Sequence, residues 1–130
     1  MTHAEIPEDL RRFVLTSVPS VPFLEALLLL RASPGQQWDG AALAGRLYIR
    51  EKVAQGLLDE LCTAGMARPC DAPAAHAYCY APASEALREL VDRLAELYAR
   101  HLVEVTHLIH STLDRKAQKF ADAFRLRKDT

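Results

Sequence analysis

Proline and glycine divide this chain of 130 residues into segments too short to form one continuous helix. The breakers Val18-Pro19, Ser33-Pro34-Gly35 and Gly65 each follow a run of apolar residues at helical spacing. A residue before a proline resists the α conformation, and glycine often ends a helix, so each breaker predicts a helix end. The first half of the chain is therefore predicted to fold as several short helices that pack on one another.

The segments between the breakers have the pattern of four helices followed by a β-hairpin. The helices are predicted over residues 7–17, 20–32, 40–47 and 50–64. Ser20 and Asp39 are good N-caps for the second and third of these helices. The second helix is apolar around most of its circumference, which predicts a central buried position. Residues 66–70 and 77–80 have the pattern of two strands joined by a turn at 71–76.

A single long helix is predicted over residues 85–111, with Ser84 as its N-cap. Its apolar residues recur at spacings of three and four and form a stripe wider than one packing surface needs. We expect the surplus width to pack against the same helix of a second copy, around a two-fold axis. The alternative is that the N-terminal helix covers the stripe within one chain. The predicted dimer-interface residues are Leu90, Leu94, Leu97, His101, Leu108, Phe120 and Phe124.

The C-terminal tail is the most basic part of a chain whose net charge is only -1. Residues 111–130 carry six basic and three acidic side chains, and Phe120 and Phe124 lie on one helical stripe. We expect these two aromatic residues to pack on the other subunit. The alternatives are that the tail contacts DNA phosphates or docks on another protein. Its apolar face is too small for a strong membrane anchor.

The order of elements resembles the winged helix-turn-helix superfamily over residues 20–82: a helix, a short extended piece at 36–38, two helices and a hairpin. The residues that carry the resemblance are Trp38-Asp39-Gly40-Ala41-Ala42-Leu43-Ala44, Leu47-Tyr48-Ile49, Val53, Leu57, Leu58, Leu61 and Ala64-Gly65-Met66. The resemblance implies a mainly α fold with a small β-hairpin wing, an α+β class, followed by the long C-terminal helix. It also implies that Ala44 lets the helix pair pack closely and that Ile49 anchors the turn between them.

Half of the residues are hydrophobic, which is enough for a folded core. Within the fourth helix, Val53, Leu57 and Leu61 recur every four residues and are predicted to face that core. The chain is thus divided into an N-terminal helical arm, 1–19, a winged helix-turn-helix domain, 20–83, and a dimerisation helix with a basic tail, 84–130.

The resemblance implies a transcriptional regulator of bacterial type that binds double-stranded DNA, and the wide apolar stripe of the long helix predicts that it acts as a homodimer. Arg50, Lys52 and Gln55 lie on the first turns of the predicted recognition helix, where side chains reach base edges. Arg46 and Arg68 are expected to contact phosphates. Acidic residues towards the end of the same helix repel phosphate. The alternative is therefore a winged-helix adaptor that binds another protein without reading DNA.

No feature of the sequence indicates an enzyme, a metal site or a cofactor. The serines and glycines fit no nucleophile elbow or phosphate-binding loop. Glu104 is three residues from both His101 and His107, which allows a surface metal site, but we expect these histidines to be solvated or to lie at the edge of the core. The start of the chain has no secretory leader and no apolar run spans a bilayer, so we expect a cytoplasmic protein without a membrane partner. Three cysteines in that compartment predict reduced thiols, with Cys70 and Cys79 as an alternative redox pair across the hairpin.

Overall fold

A computed structural model of the chain describes residues 6–70 and 77–128, without the side chains of 112–116 and 124–128. These residues form six α-helices and one antiparallel sheet of two strands, which confirms a mainly helical α+β fold. The helices are α1 (Glu8–Ser17), α2 (Val21–Ala32), α3 (Gly40–Leu47), α4 (Glu51–Thr63), α5 (Glu85–Arg100) and α6 (Leu102–Lys128). The strands are β1 (Ala67–Pro69) and β2 (Tyr78–Tyr80).

Three helices begin at the N-caps that the sequence predicts. The side chains of Ser20, Asp39 and Ser84 each accept a hydrogen bond from the backbone N–H three residues later, at 3.2, 2.8 and 3.1 Å. Each cap of this kind stabilises a helix by about 1 kcal/mol. The helices α1 and α2 end immediately before Val18 and Ser33, at the predicted breakers. Local chemistry therefore accounts for these five helix boundaries.

Strand β2 has backbone partners on both sides. Strand β1 pairs with it in antiparallel fashion, with Pro69 opposite Tyr78. On the other side, Trp38 and Tyr78 exchange two backbone hydrogen bonds of 2.9 and 2.7 Å. The extended piece predicted at 36–38 is thus a one-residue bridge that ties the α2–α3 connection to the hairpin. The turn predicted at 71–76 lies outside the described residues.

Helix α2 lies at the centre of the core, as its apolar circumference predicts. Its side chains Phe23, Leu24, Leu27 and Leu30 are buried, and so is Trp38. Every other helix contributes buried apolar side chains to the same cluster. The three segments distinguished in the sequence therefore share one hydrophobic core.

The C-terminal helix is interrupted, and the prediction of one continuous helix over residues 85–111 is wrong. It breaks at His101, whose φ and ψ of -132° and 54° are not helical. Beyond the break, α6 packs against α1 and α5 and buries Val105, Leu108 and Ile109. Burial of such side chains stabilises a fold by roughly 1.5–3 kcal/mol each, which outweighs the hydrogen bonds lost at the break.

Helix α1 covers the wide apolar stripe within the same chain. Its buried side chains Leu10, Phe13 and Val14 lie on the helix that packs against α5 and α6. Arg93 of α5 donates hydrogen bonds to both carboxylate oxygens of Asp9 in α1. On α5 the structure therefore contains the alternative arrangement, in which the N-terminal helix of the same chain covers the apolar stripe.

The buried face of α4 differs from the predicted one. Leu57 and Leu61 are buried as expected, but Val53 is 50% exposed. Ala54 and Leu58 take the inward positions instead. The four buried residues have the i, i+3, i+4 and i+7 spacing of one helix face, whereas a strict spacing of four drifts around the helix.

No single helix in the described ranges is long and apolar enough to cross a membrane. Helices α1 and α2 reach the required length and composition only as a pair, with a bend of 108° between them. The apolar side chains of both helices belong to the core cluster.

Candidate nucleic-acid interface

Helices α3 and α4 approach each other closely at Gly40. The Gly40 N–H donates a hydrogen bond to the side-chain oxygen of Gln55 at 3.2 Å. A Cβ atom added at Gly40 would lie 3.1 Å from that oxygen and 3.1 Å from the Glu51 carbonyl oxygen. Gly40 is therefore a small residue that permits this approach, and Ala44, for which the sequence predicts that role, is half-buried against the core.

The turn between the two helices has one buried and one exposed member. Ile49 packs against the core, as predicted, and its N–H donates to the Ala44 carbonyl oxygen at 3.2 Å. Tyr48 ends α3 in the left-handed conformation, with φ of 57°, and its side chain is 94% exposed. The sequence predicts only a break at this position, although a bulky aromatic residue in a tight turn can itself indicate a functional position.

Three of the predicted basic contacts are exposed. Arg50 is the N-cap of α4, Lys52 lies in the first turn of α4, and Arg68 lies on β1. None of the three forms an ion pair with any other residue that the structure describes. Their charges are therefore available to an anion outside the chain.

Arg46 is exposed but held against an aromatic ring. Its guanidinium carbon lies 5.9 Å from the centroid of the Trp38 ring, a cation–π contact. Because the Trp38 backbone pairs with β2, this contact brings the Arg46 charge towards the hairpin. The structure thus links a basic residue of α3 to the sheet.

Gln55 has contacts within the chain that differ from its predicted role at base edges. Its side-chain oxygen accepts the hydrogen bond from Gly40, and its amide nitrogen donates to Asp59 at 3.4 Å. The amide therefore holds α4 against α3. A contact with a base through the same atoms would first have to break these hydrogen bonds.

Asp59 also joins two elements of the fold. The Tyr78 hydroxyl donates a hydrogen bond to its carboxylate at 2.8 Å, which links β2 to α4. This hydrogen bond, together with partial burial, raises the pKa of Tyr78 to about 12. Asp59, one of the acidic residues of α4 expected to repel phosphate, thus holds the hairpin to α4.

An open cleft of about 500 Å³ lies between the α1–α2 turn and the end of α4. Leu15, Val18 and Phe23 contribute apolar lining, and Asp59 and Glu60 line the α4 side. Within the described chain, no basic side chain belongs to this lining. An apolar surface with an acidic edge suits a basic or apolar segment of a protein better than a nucleic acid.

Cys70 and Cys79 form a disulfide across the hairpin, with Cα atoms 5.8 Å apart. The prediction of reduced thiols is therefore wrong for this structure. The Cys70 N–H donates to the Ala77 carbonyl oxygen at 2.9 Å, which extends the strand pairing and brings the two cysteines within bonding range. Cys62 on α4 is a free, half-buried thiol.

Four of the predicted dimer-interface residues pack in or against the core of a single chain. Leu94 and Leu108 are buried, and Leu90 and Leu97 are half-buried against the same cluster. As arranged here, these side chains offer little surface to a second copy. The reason is that α1 and, beyond the break at His101, α6 both pack onto α5.

The exposed apolar side chains of the C-terminal region lie on α6. Leu102 and Val103 are more than half exposed, and Phe120 is 74% exposed. His101, also predicted at the interface, is half-buried at the start of this helix and lies 3.5 Å from a Glu104 carboxylate oxygen. The side chain of Phe124 lies outside the described set.

The described residues contain no group of three or more His, Cys, Asp or Glu side chains placed to hold a metal ion. Comparisons of the chain with protein-family profiles, curated protein sequences and solved structures found no match.

Proposed function

We propose that this chain is a winged-helix, DNA-binding transcriptional regulator that acts as a homodimer. The proposal rests on the α3–α4 pair, which lies in the chain between Trp38 and the hairpin, and Trp38 is itself bridged to that hairpin. Arg50 and Lys52 are exposed at the start of α4. A winged helix has its short first strand before the helix pair and its hairpin after it. Exposed positive charge at the start of the second helix is what a helix entering the major groove requires.

In this proposal the first turn of α4 enters the major groove. Arg50 and Lys52 reach base edges there, and an arginine in this position pairs best with the two acceptors of guanine. Arg46 and Arg68 bind phosphates and set the orientation of the domain on the duplex. Gln55 keeps its hydrogen bonds to α3 and takes no part in base recognition.

The acidic second half of α4 limits how far the helix enters the groove. Asp59 is hydrogen-bonded to Tyr78, and Glu60 lines the cleft near the α1–α2 turn. Two carboxylates close to phosphates would oppose binding. The proposal therefore uses only the first turn of α4, which contains the basic residues.

The proposed homodimer is built on α6 rather than on α5. Helix α1 covers the apolar stripe of α5, whereas Leu102 and Val103 of α6 are more than half exposed. The basic tail that contains Phe120 belongs to the same helix. A two-fold pairing through α6 would give the dimer two copies of α4 for the two half-sites of a pseudo-palindrome.

Salt-dependent binding of a fluorescently labelled, mixed-sequence duplex tests this function. Four phosphate contacts, from Arg46 and Arg68 of both subunits, predict that affinity falls by roughly 150-fold between about 50 and 200 mM salt. Fluorescence anisotropy measures the affinity, and circular dichroism establishes that the protein is folded. Folded protein that binds no duplex at the lower salt concentration would exclude DNA binding.

The acidic-edged cleft favours a second candidate function, that of an adaptor for another protein. In that case a basic, apolar segment of the partner lies in this cleft against the half-buried Leu15 and Pro19, with its charges facing Asp59 and Glu60. Glu60→Lys would then abolish binding of a basic amphipathic peptide. Under the DNA-binding proposal the same substitution leaves DNA binding intact or strengthens it, so the two functions predict different results.

A further inference from the structure

Tyr48 occupies a backbone conformation that L-residues rarely adopt. Its φ and ψ are 57° and 45° at the end of α3, and no other non-glycine residue in the described ranges has a positive φ. Backbone in this left-handed region favours glycine, and a bulky side chain there is strained. Glycine would therefore suit this position better than tyrosine if folding were the only requirement.

The Tyr48 side chain gains no compensating contact from the rest of the fold. It is 94% exposed, and its hydroxyl makes no hydrogen bond to any other residue that the structure describes. Strained residues of this kind cluster at functional sites, where a contact with a ligand accounts for them. The tyrosine is therefore explained better by an external partner than by stability.

The surroundings of Tyr48 are basic. Residues 46–52 include Arg46, Arg50 and Lys52 and only one acidic residue, Glu51. The phenol oxygen–hydrogen group is a good donor to a negatively charged oxygen, and such charge-assisted hydrogen bonds are stronger than neutral ones. Tyr48 lies between Arg46 and Arg50 in the sequence, so its hydroxyl is well placed to bind a phosphate.

We propose that the Tyr48 hydroxyl donates a hydrogen bond to a backbone phosphate of duplex DNA, beside the groove that the first turn of α4 enters. The inference rests on the proposed DNA-binding function and adds an uncharged contact to the basic ones. Hydrogen bonds to phosphates fix the orientation of a protein on the duplex and carry no sequence information. Tyr48 therefore strengthens binding to all sequences alike.

Two substitutions at this position test the contact. Tyr48→Phe keeps the ring and removes the hydroxyl, so we expect it to weaken binding to preferred and mixed-sequence duplexes alike, by about tenfold. Tyr48→Gly removes the strain as well as the contact. We expect it to raise the thermal midpoint by about 3 °C while weakening DNA binding at least as much as Tyr48→Phe. A residue that serves only the fold would not give opposite changes in stability and affinity.

A double variant, Arg50→Ala with Lys52→Ala, separates this inference from the proposed function. If it weakens DNA binding while both Tyr48 variants bind like the unmodified protein, the Tyr48 contact is overturned and the proposed function stands. If only Tyr48→Gly loses affinity, the ring makes the contact and the hydroxyl–phosphate bond is overturned. If the unmodified, folded protein binds no duplex at low salt, both proposals fail.

Discussion

Gly40 and Gly45 belong to the same short helix but have different surroundings. A Cβ at Gly40 would press on the Glu51 carbonyl oxygen, whereas a Cβ at Gly45 would meet no atom within 4 Å. We expect Gly40→Ala to lower the free energy of unfolding by about 1–2 kcal/mol. Gly45→Ala, the matched control, should raise it by about 0.5–1 kcal/mol because alanine favours the helix. Urea unfolding measures both, and a stabilising Gly40→Ala would contradict the close approach of α3 and α4.

The hydrogen bond from Tyr78 to Asp59 makes stability depend on alkaline pH. The pKa of Tyr78 rises from its ordinary value of 10.0 to about 12, so the folded chain holds this proton more tightly than the unfolded chain. The resulting stabilisation is complete below a pH of about 10 and is lost as the pH rises through about 12.

Tyr78→Phe removes both the hydrogen bond and its titration. We expect the free energy of unfolding to fall by about 1 kcal/mol at neutral pH, and the loss of stability between neutral and alkaline pH to become smaller. Denaturant unfolding of both proteins across this range provides the comparison. Parallel pH profiles for the variant and the unmodified protein would show that the bond does not form.

The candidate site could be predicted in part because some of its properties are local. The exposure of Arg50 and Lys52 follows from their charge and from their place outside the apolar face of the α4 pattern. The engagement of Gln55 does not, because its partner Gly40 belongs to another helix and lies fifteen residues away in sequence. The conformation of Tyr48 likewise depends on how α3 and α4 meet rather than on the turn residues alone.

Helix boundaries also divide into those set by local sequence and those set by contacts with distant residues. The starts of α2, α3 and α5 follow from N-caps that bond to a backbone group three residues ahead, which a sequence reveals. The break at His101 has no glycine or proline to mark it. It depends on α1, which lies far away in sequence and offers α6 an apolar surface. For this reason the sequence pattern resembled one long helix.

Substitutions at Leu94 and Leu102 test the core and the proposed dimer surface separately. Leu94 is buried on α5, whereas Leu102 is more than half exposed on α6. We expect Leu94→Glu to lower the free energy of unfolding by about 4 kcal/mol or more, because it places an unpaired charge in the core. Leu102→Glu should change it by less than about 0.5 kcal/mol and weaken the dimer.

Circular dichroism and analytical sedimentation distinguish these outcomes. A well-folded Leu94→Glu variant that sediments as a monomer would place the α5 stripe at the interface and contradict the arrangement described here. Unmodified protein that is monomeric at micromolar concentration would exclude the proposed homodimer.

The disulfide closes the hairpin and restricts the unfolded chain. Cross-linking Cys70 to Cys79, nine residues apart, is expected to stabilise the fold by about 2–3 kcal/mol. Cys70→Ser with Cys79→Ser should therefore lose this amount and match the reduced, unmodified protein. Thiol titration in denaturant should find one thiol, Cys62, before reduction and three afterwards. Three thiols in protein purified without reductant would show that the bond does not form.

In the whole molecule, basic and acidic charges nearly cancel, and the basic groups of the proposed DNA contact lie together in one region. The net charge is only -1, so the chain as a whole has no strong attraction for a polyanion. The proposed function depends instead on a few exposed groups beside the α3–α4 turn and on β1, with acidic groups at the far end of α4. A change of total charge at another site should therefore matter much less than the same change at the start of α4.

The most direct test of this account compares two charge-matched double variants in the DNA-binding assay. Arg50→Ala with Lys52→Ala removes two exposed charges at α4, and Arg11→Ala with Arg12→Ala removes two exposed charges at α1. We expect the first to weaken binding by roughly 30-fold or more, and the second to leave affinity within about twofold. Equal losses in the two variants, or no binding by the unmodified folded protein, would contradict DNA recognition by α4.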